Sequence, residues 1–285
     1  MWASFCAQAQ TPPSTLDKVK ASGAITVAYR EASIPFSYLG AGGQPVGFGW
    51  EICGRIVDEV KRVTGRSDLS IKSQAVTSQN RIPLIQNGTI DIECGSTTNN
   101  ADRGKQVNFS TNYFYTGTRF LIKSGAPLKT LQDLKGRKVV STTGTTNLLV
   151  MRKASKEHNL DIDLIAAKDH GESALLVESG RADAFAMDDI LLYGIKASAA
   201  NPSTFEVVGD ALQIEPYAIM LRKDDAAFKK LVDGVIATLI SSGDFEKLYT
   251  KWFLSPIPPK GINLNAPMST ELRANLKALS DKPAE

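Results

Sequence analysis

Short apolar runs alternate with amphipathic segments along the first third of the chain. Residues 24–29 alternate as a half-buried strand does, whereas residues 48–63 repeat apolar side chains at helical spacing, with Val63 on the apolar face. The predicted elements are a strand at 24–29, a helix at 48–63, a strand at 69–76, a short helix from near Ser78 to Asn87 and a strand at 89–94. This order predicts a βαβαβ unit with a mainly parallel sheet covered on both faces.

A second series of the same kind begins near residue 138. The predicted strands lie at 138–142, 161–165, 183–187 and 205–208, and the predicted helices end near His158, at Ser179 and near Ala199. Further helices are predicted at 224–242, 245–253 and 269–279. Two extended aromatic segments, 113–117 and 215–219, lie at the ends of this series and are predicted to form a hinge. The predicted division is 1–15 as a flexible N-terminal segment, 16–114 plus 218–285 as lobe one, and 115–217 as lobe two.

Two polar loops follow predicted strands in lobe one. The segment Gly95–Arg103 replaces apolar residues with glycine and hydroxyls, and Arg103 follows Thr98 by five positions. The segment Thr77–Arg81 has a similar composition. Loops at strand ends of α/β proteins bind small anions, because free N–H and hydroxyl groups donate to them and arginine contacts two oxygens at once. Two such loops predict a ligand with two negative ends.

Composition and charge exclude several classes of function. The 285 residues are 42% hydrophobic and 22% charged, which is typical of a globular protein with a substantial core. The net charge of +3 is small and the basic residues are scattered, so no nucleic-acid partner is expected. No apolar run approaches the ~20 residues of a membrane span. The chain has two histidines and no Cys/His ligand spacing, so neither a metal nor a cofactor is expected.

The N-terminus and the cysteines bear on the cellular compartment. Ala7-Gln8-Ala9 matches the A-x-A site of a signal peptidase, although the charged and long apolar regions that normally precede it are absent. We interpret residues 1–15 as a signal remnant followed by a flexible start of the mature chain; the alternative is a chance match. Cys53 and Cys94 lie in apolar contexts, which favour buried free thiols over a bridge, although an oxidising compartment would permit a bridge.

Seven blocks of sequence, spread from about Leu16 to Pro259, carry a family resemblance. They are residues 29–38, 77–84, 93–100, 168–171, 187–189, 220–225 and 251–253. The chain resembles the periplasmic amino-acid-binding proteins of ABC transporters, and the blocks at 78–81 and 94–100 are specific to the branch that binds acidic amino acids. The resemblance implies an α/β, two-lobed periplasmic binding protein fold of type II. In that fold each lobe is a mostly parallel sheet flanked by helices, and two strands form the hinge.

The resemblance also implies roles for ten residues. The ligand's α-carboxylate is assigned to Ser96, Thr98, Arg103, Thr145 and Thr146, its α-ammonium to Asp188, and its side-chain carboxylate to Arg30, Ser78, Arg81 and His170. The chemistry agrees with these assignments, because guanidinium pairs with carboxylate bidentately. A buried carboxylate is costly unless it is paired and hydrogen-bonded.

Each of several assignments has a simpler alternative. For Arg103 the alternative is a solvated charge on a short helix. For Asp188 it is the N-cap of the following helix, a position for which Asp189 is also suited. For His170 it is a helix-start residue that bonds the backbone, and for Ser78 it is the N-cap of the short helix that follows.

The predicted function is capture of L-glutamate or L-aspartate by lobe closure, followed by delivery to a membrane ABC permease from the periplasm. The protein is expected to be a monomer without catalytic residues. Two other classes remain as alternatives. One is a periplasmic enzyme on the same fold, such as a dehydratase, in which His170 or Glu93 acts as acid or base. The other is a sensory ligand-binding module.

Overall fold

The polypeptide forms two α/β lobes, each built on its own sheet, in this computed structural model, which describes residues 13–284. The strands are β1 Ala24–Tyr29, β2 Ala32–Ser33, β3 Ser37–Leu39, β4 Pro45–Val46, β5 Ser70–Ala75, β6 Ile92–Glu93, β7 Asn108–Phe109, β8 Phe114–Lys123, β9 Lys138–Thr142, β10 Asp163–Ala167, β11 Ala184–Asp188, β12 Phe205–Val208, β13 Ile214–Tyr217 and β14 Met220–Leu221. The α-helices are α1 Thr15–Ser22, α2 Phe48–Thr64, α3 Arg81–Gln86, α4 Ala101–Gly104, α5 Thr146–Glu157, α6 His170–Glu178, α7 Asp189–Ser198, α8 Ala226–Ser241, α9 Asp244–Phe253 and α10 Thr270–Ala278.

The first sheet places the two polar loops of the sequence side by side. Its strand order is β5-β1-β6-β14-β7. Strand β1 is parallel to β5 and β6, with Tyr29 opposite Ala75 and Ala28 opposite Glu93. The carboxyl ends of these three strands therefore lie at one edge of the sheet. The loops that leave this edge are the ones that carry the hydroxyls and arginines, which is where ligands bind in open α/β sheets.

The second sheet contains a long strand, β8, that the sequence pattern does not predict. The strand order is β10-β9-β11-β8-β12. Strand β9 is parallel to β10 and β11, whereas β8 is antiparallel to β11, β12 and β13. The start of β8 pairs with β13, with Phe114 opposite Tyr217. The chain therefore passes between the two sheets in two adjacent antiparallel strands.

Both sheets are mixed, so the expectation of mostly parallel sheets is wrong, while the α/β fold class is confirmed. In the first sheet the antiparallel pairs involve β14, and in the second sheet they involve β8. Strand β8 is itself the first crossing strand, and β14 follows the return crossing in β13.

Aromatic side chains pack around the crossing strands. The ring centroid of Phe36 lies 4.8 Å from that of Phe114 and 5.1 Å from that of Tyr217. Phe253 of α9 stacks on Phe114 at 5.0 Å. Aromatic pairs of this kind contribute about 0.5–1.5 kcal/mol each beyond the area that they bury. The start of β8 and the end of β13 are therefore packed in a closely spaced aromatic cluster.

Most predicted elements of lobe one are present, with differences at their ends. The helix predicted from Ser78 begins at Arg81, because Thr77 and Asn80 close a turn through bonds of 2.8 and 3.2 Å. The strand predicted at 89–94 is limited to β6. Val63 was predicted on the buried face of α2 but is 44% exposed, at the rim of a groove between α2 and α8.

Two elements of the second series are displaced along the chain. The strand predicted at 161–165 runs from Asp163 to Ala167, because Asn159 and Asp161 have positive φ and extend the preceding turn. The helix predicted from Ser173 begins at His170, since Asp169 caps it by accepting from the Glu172 N–H at 2.9 Å.

The predicted flexible N-terminal segment lies mostly outside the described residues, since residues 1–12 and the Ala7-Gln8-Ala9 match fall there. Thr15 begins α1, and its N–H donates to the Asp225 carboxylate at 2.7 Å. The helix starts one residue inside the segment expected to be flexible, so that expectation is wrong for Thr15. Between residues 13 and 284, none of the helices is long and apolar enough to cross a membrane.

Cys53 and Cys94 form a disulfide, so the expectation of two free thiols is wrong. Cys53 lies on the buried face of α2, and Cys94 follows β6 directly. Their Cα atoms are 6.0 Å apart, within the usual range for a bridge. The sequence context does not reveal the pairing, because the two residues are 41 positions apart and meet only when α2 packs on the sheet. The bond joins α2 to the start of the Gly95–Arg103 loop.

We expect the disulfide to contribute about 2–4 kcal/mol to the free energy of unfolding, the usual range for such bonds. Urea unfolding of the wild type with and without reductant measures this contribution. The double variant Cys53→Ala, Cys94→Ala is the control, because reductant should leave its unfolding curve unchanged. A wild-type curve that does not respond to complete reduction, verified by thiol titration, would contradict the assignment.

Candidate functional site

A small buried cavity lies where the strand ends of the two lobes face each other. Its volume is about 10 Å³, roughly the room of one water-sized sphere. The residues that line it are Ser78, Arg81, Ser96, Thr98, Arg103, Thr145, Thr146, Asn147, His170, Met187, Asp188 and Leu191. Nine of the ten predicted site residues are in this set, and the tenth, Arg30, contacts one of its members, His170, at 3.4 Å. The structure therefore brings the predicted residues of both lobes together.

Two fully buried arginines lie at one end of the cavity, Arg81 in its lining and Arg30 beside His170. Arg30 follows β1, and its N–H donates to Ser37 Oγ at 2.9 Å. Arg81 begins α3, and its Nη1 donates to Thr97 Oγ1 at 2.6 Å. Burial, reinforced by the positive charge of Arg81, lowers the pKa of Arg30 to about 9, and Glu93 opposes this shift. Burial also lowers the pKa of Arg81.

Three donors at this end of the cavity lack a partner among residues 13–284. They are Arg30 Nη1, Arg81 Nε and Ser78 Oγ, and all three are buried. A buried donor without an acceptor costs about 1–3 kcal/mol, and more when it is charged. Ser78 is not the N-cap of α3, since Asn80 occupies that position, so this alternative is wrong. The three donors together form a site that fits the oxygens of an anion.

Arg103 lies at the interface between the lobes. It is 8% exposed, so the alternative of a solvated charge is wrong. Its Nη1 donates to the Thr98 carbonyl at 2.9 Å and its Nη2 donates to the Gly144 carbonyl of lobe two at 3.1 Å. Burial lowers its pKa to about 10, with the Arg81 charge as the second cause. The hydroxyls of Thr98 and Thr146 meet 3.4 Å apart beside it. Arg103 therefore contacts both lobes.

The Gly144 loop approaches lobe one more closely than any side chain would allow. Gly144 has φ +80°, and a Cβ built on it would lie 2.6 Å from Gln79 Cα. The next residue, Thr145, caps α5, because its hydroxyl donates to the Thr142 carbonyl at 2.6 Å and accepts from the Leu148 N–H at 3.3 Å. The Thr145 hydroxyl thus holds the loop in place.

The other two predicted hydroxyls also contact protein atoms. Thr146 Oγ1 donates to the Glu215 carboxylate at 2.9 Å. Ser96 Oγ donates to Ser33 Oγ at 3.2 Å. Both hydroxyls retain lone pairs that can accept hydrogen bonds.

His170 lies at the first turn of α6, where it contacts side chains rather than the backbone. Its Nδ1 is 2.8 Å from Thr142 Oγ1 and its Nε2 is 3.4 Å from Arg30 Nη2. Arginine only donates, so Nε2 accepts and Nδ1 carries the proton, which it donates to Thr142. Burial, together with the charges of Arg30 and Arg81, lowers the pKa of His170 well below its usual value. His170 is therefore neutral, and the alternative of a helix-start residue that bonds the backbone is wrong.

Asp188 lines the cavity from lobe two, at the end of β11. Its Oδ1 accepts from Asn147 Nδ2 at 2.7 Å, and its Oδ2 accepts from the Tyr217 hydroxyl. The backbone of Asp188 occupies the N-cap position of α7, but its side chain makes no cap bond. Asp189 accepts from the Ile190 N–H instead. The Asp188 carboxylate is therefore free to face the cavity.

The environment of Asp188 disfavours its ionised form, although Arg81 and Arg103 are near enough to interact with its charge. Burial is the main cause that raises its pKa to about 7, and the neighbouring Glu215 carboxylate adds to the effect. The bonds from Tyr217 and Asn147 act in the opposite direction. A cation placed beside Asp188 would stabilise its ionised form. The Asp188 side of the cavity therefore fits a positively charged group.

Several residues of the site are not identified by the sequence analysis. Asn147 and Tyr217 hold Asp188, and Thr97 holds Arg81. Asn147 and Thr97 are neighbours of predicted site residues in polar loops, so their position offers a weak signal. Tyr217 lies in a crossing segment whose one sequence signal is its aromatic character. Its contact with Asp188 depends on the antiparallel pairing of β13 with β8, which local sequence does not encode.

Two lobes joined by two strands and closed on a small polar cavity define a binding protein of the two-lobed kind. The chain belongs to the bacterial extracellular solute-binding proteins, family 3, whose family model matches residues 25–255. The confirmed family and the fold agree with the predicted resemblance. Membership also places the chain among solute-binding proteins rather than enzymes.

Similar proteins support this assignment in sequence and in structure. The chain is 50% identical over 272 residues to the L-glutamate/L-aspartate-binding protein of Pseudomonas aeruginosa, covering 95% of this chain and 90% of the relative. It is 49% identical over 269 residues to the glutamate/aspartate import solute-binding protein of Salmonella typhimurium, covering 94% and 89%. A mutant of ArgBP from T. maritima has a similar structure, with a TM-score of 0.75 and 25% identity over 84% of this chain and 98% of that one. The predicted two-lobed binding-protein fold is confirmed.

We expect Asp188→Asn to stabilise the ligand-free protein, and to do so more strongly as the pH rises. The folded pKa of about 7 lies above the ordinary value of 3.8, so the folded wild type binds more protons than the unfolded chain between these values. Ionised Asp188 therefore destabilises the fold progressively as the pH rises through this window, and the neutral variant escapes that cost. Chemical unfolding of both proteins between pH 4 and pH 8 measures the effect. A stability difference that does not change with pH would contradict the assignment.

Proposed function

We propose that this protein captures L-glutamate or L-aspartate in the periplasm and delivers it to a membrane ABC permease. The lobes close on the ligand, and the protein acts as a monomer that reaches the periplasm through an N-terminal signal. One observation carries the proposal. The cavity is lined by two unpaired anion donors, Arg81 Nε and Ser78 Oγ, and by the Asp188 carboxylate, and a third unpaired donor, Arg30 Nη1, belongs to the arginine that contacts His170. An amino acid with a negative side chain presents charges complementary to the donors and to the carboxylate.

The side-chain carboxylate of the ligand belongs at the donor end. Arg30 Nη1, Arg81 Nε and Ser78 Oγ would each donate to it, and these bonds would supply the partners that the three buried groups lack. Charge-assisted bonds of this kind are stronger than neutral ones. His170, which is neutral, would orient Arg30 through the contact at its Nε2. Glutamine lacks the negative charge, so it should bind more weakly than glutamate.

The α-amino and α-carboxylate groups belong on the Asp188 side of the cavity. The ammonium would lie beside Asp188 and restore the ionised form that burial disfavours. Arg103 would hold the α-carboxylate, supported by Ser96, Thr98 and the start of α5 at Thr145 and Thr146. The first turn of α5 adds free N–H groups and a positive dipole end that favour an anion.

The structure has the contacts expected of a closed state. Arg103 Nη2 of lobe one reaches the Gly144 carbonyl of lobe two, and Arg30 reaches His170. We place the hinge in the paired strands at 113–117 and 215–219, with 16–114 plus 218–285 as lobe one and 115–217 as lobe two. A ligand that touches both lobes shifts the equilibrium only by the difference in its contacts with the open and closed forms. The two relatives named for glutamate and aspartate support the same ligand class.

We expect Arg81→Ala to weaken glutamate binding by about 2–5 kcal/mol, the usual cost of removing one partner of a buried charge pair. Glutamine binding should change much less, because glutamine has no side-chain charge. Calorimetric titration with both amino acids tests the assignment. Arg62→Ala is the matched control, since that arginine side chain is 72% exposed on α2. Unchanged glutamate affinity in Arg81→Ala would contradict the side-chain assignment.

We expect Gly144→Ala to block lobe closure while leaving each lobe folded. The added Cβ would meet Gln79 of lobe one, so the variant should weaken binding of every amino-acid ligand. Small-angle scattering with saturating glutamate should show a decrease in the radius of gyration for the wild type and not for the variant. Gly125→Ala is the matched control, because Gly125 has the same φ of +80° but no atom within 4 Å of its added Cβ. Closure of Gly144→Ala equal to that of Gly125→Ala would contradict the closed geometry.

A further inference from the structure

Glu93 is a fully buried carboxylate beside the donor end of the cavity, and the binding scheme above does not use it. We propose that Glu93 sets the net charge of this end at +1, so that the site selects ligands whose side chain carries one negative charge over those with two. Glu93 is a positioning and charge-balancing residue, since it acts through Arg81 and Arg30 rather than by touching the ligand. The inference rests on the proposed function and adds the rule by which the same site chooses among acidic amino acids.

The link from Glu93 to Arg81 runs through one hydroxyl. Glu93 lies in β6 and is 0% exposed. Its Oε2 accepts from Thr97 Oγ1 at 2.5 Å, and the same Thr97 oxygen accepts from Arg81 Nη1 at 2.6 Å. Thr97 therefore donates in one direction and accepts in the other, which fixes the orientation of the Arg81 guanidinium. The Nε that remains unpaired is the atom available to a ligand.

The link from Glu93 to Arg30 depends on a glycine. A Cβ built on Gly95 would collide with Glu93 Oε1 and would lie 2.9 Å from Arg30 Cγ. Glu93 and the Arg30 side chain therefore approach the same backbone position, where only glycine leaves room for both. Oε1 has no hydrogen-bond partner among the described residues, so this oxygen acts on Arg30 through its charge.

The buried charges near this end of the cavity sum to +1. Arg30 and Arg81 contribute two positive charges, Glu93 contributes one negative charge, and His170 contributes none because it is neutral. Arg103 and Asp188, which also interact with Arg81, cancel each other, and Asp169, which interacts with Arg30, is only half-buried and is screened by solvent. One negative charge on the ligand side chain therefore leaves the site balanced, whereas two leave an uncompensated buried charge. Buried charges are tolerated only when they are paired.

The pKa shifts of Arg30 and Arg81 agree with this geometry. Glu93 is a cause that raises the pKa of Arg30, and it is the largest such cause for Arg81, in both cases against the effect of burial. Its carboxylate thus stabilises the charged guanidinium groups before any ligand is considered. The site then selects by charge, because a ligand whose side chain neutralises the net charge of the site binds more tightly than a ligand whose side chain does not.

Two amino acids of nearly equal shape test the proposal. L-cysteate carries a sulfonate with one negative charge, and L-2-amino-3-phosphonopropanoate carries a phosphonate with nearly two at about pH 8, where Arg30, with its pKa of about 9, is still mostly charged. We expect the wild type to prefer cysteate by more than about tenfold in calorimetric titration, which corresponds to about 1.4 kcal/mol. In Glu93→Gln the donor end has a net charge of +2, and the ratio should move toward the phosphonate by at least about tenfold.

A second variant separates charge from orientation. Thr97→Val removes the hydroxyl link and keeps the Glu93 charge, so glutamate affinity should fall while the cysteate-to-phosphonate ratio stays as in the wild type. An unchanged ratio in folded Glu93→Gln, or an equal shift of the ratio in Thr97→Val, would overturn the proposal. If Glu93→Gln does not fold by circular dichroism, the wild type decides. Equal affinity for the two ligands overturns the charge rule, and a preference for cysteate supports it.

Failure of the proposed function gives a different result. A wild type that binds neither glutamate nor aspartate rejects the ligand class, and the charge rule falls with it. A wild type that binds glutamate and shows no discrimination between cysteate and the phosphonate rejects only the role of Glu93. Glutamate titration of the wild type is therefore the first measurement of the series.

Discussion

The burial of three guanidinium groups in one small cleft constrains the rest of this structure. Arg30, Arg81 and Arg103 are all withdrawn from water, and burial lowers the pKa of each. Such groups are stable only where oxygen atoms surround them in sufficient number. The loops after β6 and β9 supply part of these oxygens from opposite lobes. The fold therefore brings the strand ends of two separate sheets to one place, and the remaining donors define what the cleft can bind.

Much of the site could be predicted from sequence because its residues cluster at strand ends. The hydroxyls and arginines of Thr77–Arg81 and Gly95–Arg103 follow strands whose apolar pattern is clear, and parallel strands end at a common edge. That rule brings the two loops together without knowledge of the tertiary structure. The lobe-two residues carry a weaker local signal, and the family resemblance was needed to identify His170 and Asp188. The cavity contains both.

The features that escaped prediction depend on contacts between distant parts of the chain. Strand β8 crosses between the lobes at its start and then continues as an inner strand of the second sheet. Its antiparallel neighbours are far away in sequence. The raised pKa of Asp188 comes first from its burial and then from Glu215, neither of which is visible in the residues beside it. Glu93 has the alternation of an ordinary strand residue. Its importance arises only from the guanidinium groups that the fold places around it.

The disulfide between Cys53 and Cys94 links the geometry of the site to the redox state of the compartment in which the protein folds. Thiols remain reduced in the cytosol, whereas bridges form in oxidising compartments. On the export route proposed above, a newly made chain lacks the tether between α2 and the loop that carries Arg103 until it reaches an oxidising compartment. The same bond then fixes one wall of the cleft, so the complete site would form only outside the compartment of synthesis.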